Sequence, residues 1–132
     1  MRSKQMLTAD DAAAINAACK RHGWIVSVAV VDGGGHVMHL VRHDGAGYGT
    51  PDVALRKART STMTRKPSGV AEIATLDRLT ILAFNDRLPL QGALPMIVDG
   101  QCVGAVGVSG ATSPQDEQIA QAGIDALGLL TG

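Results

Sequence analysis

The apolar positions along the chain change their period several times, and each change marks an element. Between residues 9 and 21 Ala14, Ile15, Ala18 and Cys19 form a narrow stripe at helical spacing. Thr8-Ala9-Asp10-Asp11 reads as a capping box for that helix. Gly23 closes it, after the cations Lys20, Arg21 and His22 that suit a helix C-terminus. Residues 24–31, WIVSVAVV, then read as a strand. Both of its alternating sets, Trp24/Val26/Val28/Val30 and Ile25/Ser27/Ala29/Val31, are apolar or small, so it belongs inside a sheet covered on both sides. Asp32-Gly33-Gly34-Gly35 is a hairpin connection, and His36 to Arg42 is the returning strand.

Thr50-Pro51 predicts an N-cap followed by proline at the first helical position, with the helix running to about Arg65 before Pro67. Small residues at Ala54, Ala58 and Ser61 let this helix pack closely against a partner. Residues 68–86 fit short helical turns, because Ile73, Leu76, Leu79, Ile81 and Leu82 match no single long helix. Ala93–Val98, Asp99-Gly100 and Cys102–Ser109 form the strongest hairpin signal in the chain. Ser113-Pro114-Gln115-Asp116 is expected to cap a last helix whose apolar face is Ile119, Gly123, Ala126, Leu127 and Leu130. Two hairpins separated by helices predict one α/β domain of the α+β kind over residues 1–132, with a mainly antiparallel sheet flanked by helices.

Composition narrows the functional classes. The 132 residues carry 12 basic and 12 acidic side chains, so no basic field points to nucleic acid. Trp24, Tyr48 and Phe84 are the only aromatic residues, too few for a base-stacking platform. Cys19 and Cys102 lie in apolar stretches without metal-ligand spacing and read as small buried thiols. The start, MRSKQMLTADD, has no apolar leader core, and no run reaches the length of a membrane span, which makes cytoplasm the expected compartment.

Candidate chemistry gathers around the end of the second strand. His36, His39 and His43 crowd it, but His39 and His43 are separated by roughly 13 Å of strand, too far for one metal ion. No metal site is expected from these side chains alone, whereas His39 or His43 singly can serve as an axial haem ligand. Arg42 and Asp44 precede the glycine-rich loop Gly45-Ala46-Gly47-Tyr48-Gly49. That segment reads either as a surface ion pair and flexible loop, or as a loop laying Tyr48 over a pocket in which Arg42 holds an anion. Lys57 lies on the small-residue face of its helix and needs a counter-charge there, unless its stem carries the ammonium out to solvent. As a functional group it would bind a carboxylate or act with a lowered pKa. In GAVGVSG, residues 104–110, Gly107 and Ser109 are candidates for the close approach of a ligand, with an anion received at the following helix N-terminus.

Four segments then carry a resemblance. Asp32-Gly33-Gly34 with Arg42 and Asp44, Lys57-Ala58-Arg59-Thr60, Pro95 to Gly110 and the Asp116-to-Ala126 helix occur in order over residues 6–128. Together they resemble the GlcG/HbpS-like haem-binding family, which includes the carboxy-terminal domain of PduO. The resemblance implies a profilin-like, five-stranded antiparallel sheet with helices on both faces, assembling into dimers and often octamers. It implies a binding protein for haem or a similar planar anionic ligand, with Arg42 and Lys57 on carboxylates and His39 or His43 on the iron. The rival it offers is a cofactor-independent enzyme of small aromatic acids, such as a hydroxylaminobenzoate lyase. There Arg42 or Lys57 would bind the carboxylate, and His39, His43, Asp44 or Lys57 would move protons. The segment 84–95 departs from the family pattern, with Gly92 but no glycine pair before Pro95, and the Tyr48 loop is richer in glycine.

Overall fold

A computed structural model describes residues 1–84 and 86–128. Helix α1 (Ala9–Arg21) is followed by strands β1 (Ser27–Asp32) and β2 (Val37–Arg42), then by helices α2 (Thr50–Thr64) and α3 (Ser68–Asp77). A 3₁₀ turn (Leu79–Ala83), strands β3 (Ala93–Val98) and β4 (Gln101–Ser109) and helix α4 (Ser113–Asp125) complete the chain. The strands form one antiparallel sheet in the order β2-β1-β4-β3, so the ends of the chain's two hairpins meet at its centre.

β1 behaves as its sequence predicts. Val28 and Val30 enter a core shared with Ile15 of α1 and Ile119 and Ile124 of α4, while Ala29 and Val31 meet Ala54 and Ala58 of α2. Helices therefore cover both faces. The strand itself begins at Ser27, and Trp24 and Ile25 lie outside it.

Among the described residues the sheet has four strands, which corrects the fifth strand the resemblance implied. Residues 86–92 run as turn and loop around Pro89. Leu88 is tied to α2 through its amide and carbonyl, both bonded to Thr60 Oγ1, so its backbone groups are spent before they can join a ladder. The next strand starts only after Gly92, whose φ of +140° suits glycine.

Two helix caps sit one residue from their expected places. α1 keeps its Thr8–Asp11 capping box. α2 has Gly49 at its N-cap, and Thr50 instead bonds Gly47 and Ser27. α4 is capped by Thr112 with Gln115 as the reciprocal partner, which releases Asp116 to the interior. Gly107 explains how α2 comes so close to the sheet: a Cβ there would overlap the Ala54 carbonyl oxygen and lie 2.9 Å from the Ala58 nitrogen.

Candidate functional site

The end of β2 builds a cleft from residues that are near in space but far apart in sequence. The His43 amide donates to the Val26 carbonyl (3.0 Å), which extends the β1–β2 pairing by one residue. That turns the imidazole under α1, where it is 8% exposed and its Nε2 lies 3.1 Å from Asn16 Oδ1. The cleft beside it measures about 310 Å³ and is lined by Asn16, Lys20, Trp24, Arg42, His43 and Asp44 among others. Burial lowers the His43 pKa, the Lys20 ammonium lowers it further, and the Asp44 carboxylate opposes both. At neutral pH His43 is therefore an uncharged imidazole near the Lys20 ammonium, the form that ligates metals or accepts a proton.

Arg42 stands at the rim. Its guanidinium carbon is 4.9 Å from the centroid of the Tyr48 ring, a cation–π contact, while Tyr48 is 91% exposed. The glycine-rich loop is thus not formless: the Ala46 amide donates to the His43 carbonyl, and Ala46 is buried. Asp44 is exposed. His39 faces Val30 in the β1–β2 register, so it shares the α1/α4 side of the sheet, half-buried on the edge strand.

Three expected site residues lie elsewhere. Lys57 is 2% exposed, and its Nζ donates to the Val108 carbonyl (3.0 Å) and to Asp116 Oδ2 (3.1 Å). The required counter-charge exists, but inside the protein. Burial raises the Asp116 pKa, against the lowering effects of the Ala111 amide and of Lys57. This buried pair passes the end of the sheet at Gly92, where a Cβ would stand 2.7 Å from the lysine nitrogen. Lys57 therefore ties α2 to α4 across β4, with no free ammonium offered at the cleft. Gly107 lies beneath α2, and Ser109 is buried opposite Ser27 in the sheet.

So the structure brings together Arg42, His43 and Asp44, with Tyr48 against the rim, and separates them from Lys57, Gly107 and Ser109. Asn16, Lys20 and Trp24 are the lining residues that sequence reasoning missed. The one available signal was Lys20 at the C-terminus of α1, which was read there only as a partner for the helix dipole.

The sequence profile of the family described as haem degrading protein HbpS-like matches residues 7–125. Protein GlcG of Escherichia coli (strain K12) is 37% identical over 114 residues, covering 83% of this chain and 85% of the relative. A double mutant of Streptomyces reticuli HbpS superposes with a TM-score of 0.90 at 34% identity, covering 97% of this chain and 91% of the other. The PduOC:heme complex superposes with a TM-score of 0.86 at 23% identity, covering 96% and 99%, which shows a shared fold.

Proposed function

From the premise that this chain belongs to the haem-degrading, HbpS-like family, we propose that it binds haem or a similar planar anionic ligand at the end of β2. The observation that carries the reading is the cleft whose lining brings Lys20, Arg42 and Trp24 together with an uncharged His43. Two cations suit the carboxylates of such a ligand, and the Trp24 ring suits its apolar face. Of the two axial candidates only His43 lines the cleft. His43 would have to give up its Asn16 hydrogen bond, a cost of about 1 kcal/mol.

A cleft of about 310 Å³ is at the lower end of small-molecule sites, so one chain would hold an edge of a macrocycle rather than enclose it. We also expect self-association, at a face away from this cleft. The face for assembly is on α3 and the 3₁₀ turn, where Val70, Ile73, Leu76, Leu79, Leu82 and Phe84 are all exposed. Dimers are the first expected product, and higher closed assemblies up to an octamer need a second contact.

The cleft's size also favours a second reading, a cofactor-independent lyase or deaminating enzyme on a small aromatic carboxylate. Arg42 would hold the carboxylate, and His43 and Asp44 would move protons. Lys57 and Ser109 take no part at the cleft in either reading and serve the architecture instead.

Titration with haemin, followed by its Soret absorption, separates the two. The binding reading expects a saturable band that His39→Ala or His43→Ala alters and Arg42→Ala weakens. No band, or one indifferent to both histidines, sinks it. Ammonia released from 4-hydroxylaminobenzoate, lost in His43→Gln, would establish the enzyme instead.

A further inference from the structure

A second cleft lies at the opposite end of β2 from the site above. The N-terminal segment crosses the β1–β2 turn there, anchored by buried Leu7 and by the Gln5 amide on Gln101 Oε1. Beneath it is a cleft of about 340 Å³ whose lining includes Met6, Met38, His36, Asp32 and Lys4. The three histidines of this strand cannot make a metal site among themselves. Here the additional donors are thioethers.

Two of the donors, Met38 and His36, are presented for structural reasons. Met38 is the extra residue of a β-bulge, since Val30 pairs with His39 and Val31 with Val37. A bulge turns a side chain away from its regular face, and Met38 packs at the edge of the α1/α4 core instead. His36 keeps an exposed ring, with Nδ1 at 3.4 Å from Asp32 Oδ1. Asp32 is itself fixed by the amides of Gly34 (2.9 Å) and His36 (3.0 Å). A proton on Nδ1 then faces the carboxylate, which leaves the Nε2 lone pair free, the arrangement that second-sphere carboxylates impose on metal-binding imidazoles. Gly34 makes room for the ring, because a Cβ there would lie 3.1 Å from it.

We propose that this cleft binds a soft monovalent cation of the copper(I) class through Met6 Sδ, Met38 Sδ and His36 Nε2. Thioether and imidazole donors select such an ion over hard cations. Lys4 in the same cleft acts in the same direction. It opposes a divalent ion that has only Asp32 to neutralise it, and it disturbs a singly charged ion held by neutral donors far less.

The test uses the full chain and copper(I) itself, added under anaerobic reducing conditions against a chromogenic chelator. One equivalent is expected to bind. Methyl-labelled methionine NMR should show shifts at Met6 and Met38 and none at Met63 or Met96. His36→Gln, Met6→Leu and Met38→Leu should each weaken binding about tenfold or more. Met6 is an exposed side chain, so its leucine variant separates lost ligation from lost folding. Cys102→Ser should leave the affinity unchanged. Absence of binding, survival of binding in the triple His36/Met6/Met38 variant, or its loss in Cys102→Ser overturns the assignment.

Discussion

Replacing Lys57 with methionine removes one half of a buried ion pair and leaves the other half in place. Asp116 would keep only the Ala111 amide at 2.9 Å, with its second oxygen facing the apolar interior once Nζ, at 3.1 Å, is gone. The side chains of the pair are 2% and 3% exposed, so water cannot take over. Breaking such a pair costs about 3–5 kcal/mol, against a total stability on the order of 5–15 kcal/mol for a domain. With a urea m-value of about 2 kcal/mol/M, the unfolding midpoint should fall by about 2 M. Lys57→Met combined with Asp116→Asn keeps an oxygen for the Ala111 amide and buries no charge, so the double variant should be more stable than Lys57→Met alone. The pH dependence gives an independent check. Burial already holds the Asp116 carboxyl above its ordinary range, and losing Lys57 raises it further. A carboxyl raised in the folded state stabilises fully below its ordinary value and loses that contribution as pH rises through the raised one. The Lys57→Met deficit should therefore be smaller near about pH 4 than near about pH 7. A midpoint loss worth under about 1 kcal/mol, or a double variant as unstable as the sum of its singles, refutes the reasoning.

Gly107→Ala forces a methyl group into the Ala54 carbonyl and should cost about 1–3 kcal/mol, read as a lowered thermal midpoint; an unchanged midpoint would mean that α2 does not rest on this glycine. His43→Gln tests a depressed pKa: a base lowered by folding contributes stability above its ordinary value and loses it as pH falls. The gap between wild type and His43→Gln should thus be widest near about pH 7–8 and narrow towards about pH 5, in urea midpoints taken across that range. Leu76→Glu, on the exposed face of α3, should lower the mass seen by light scattering while leaving the thermal midpoint within about 0.5 kcal/mol of wild type. An unchanged assembly mass would remove that face from the interface.

The sequence was most legible where a single local rule decides the outcome. Apolar residues on both faces of 28–31 have one stable placement, the middle of a sheet with helices above and below, and β1 occupies it. Caps were harder because neighbouring residues compete. Thr112 with Gln115 and Ser113 with Asp116 both have box spacing, and only the pairing with Lys57 past the end of the sheet decides that Asp116 turns inward. A signal for that was present: Asp116, Ile119, Ala120, Gly123 and Ile124 fall on one helical stripe, which places an acid within an apolar face. Read with Lys57 on the inner face of α2, that stripe names the buried pair. The cleft was less legible, since Asn16, Lys20 and Trp24 reach it through the packing of α1 on β2, which no local pattern encodes.

The two edges of the sheet differ in a way that leaves side chains accessible on one of them. β3 is closed off: Pro95 interrupts its row of donors, and Ser68 at the start of α3 takes the Ala93 amide at 2.9 Å. β2 has no proline, its Val37 and Leu40 are exposed, and its only interruption is the bulge at Met38. A bulge discourages pairing with a further strand without covering the side chains. Residues at the two ends of β2 therefore stay accessible: Arg42 and Asp44 beside the buried His43 at one, His36 beside the half-buried Met38 at the other. Lys57 shows the alternative fate of a cation in this fold. On a helix whose inner face is alanine and serine it comes too close to the sheet to reach solvent, and must be neutralised within. Arg42, on the open edge with the Tyr48 ring against it, is left exposed to solvent.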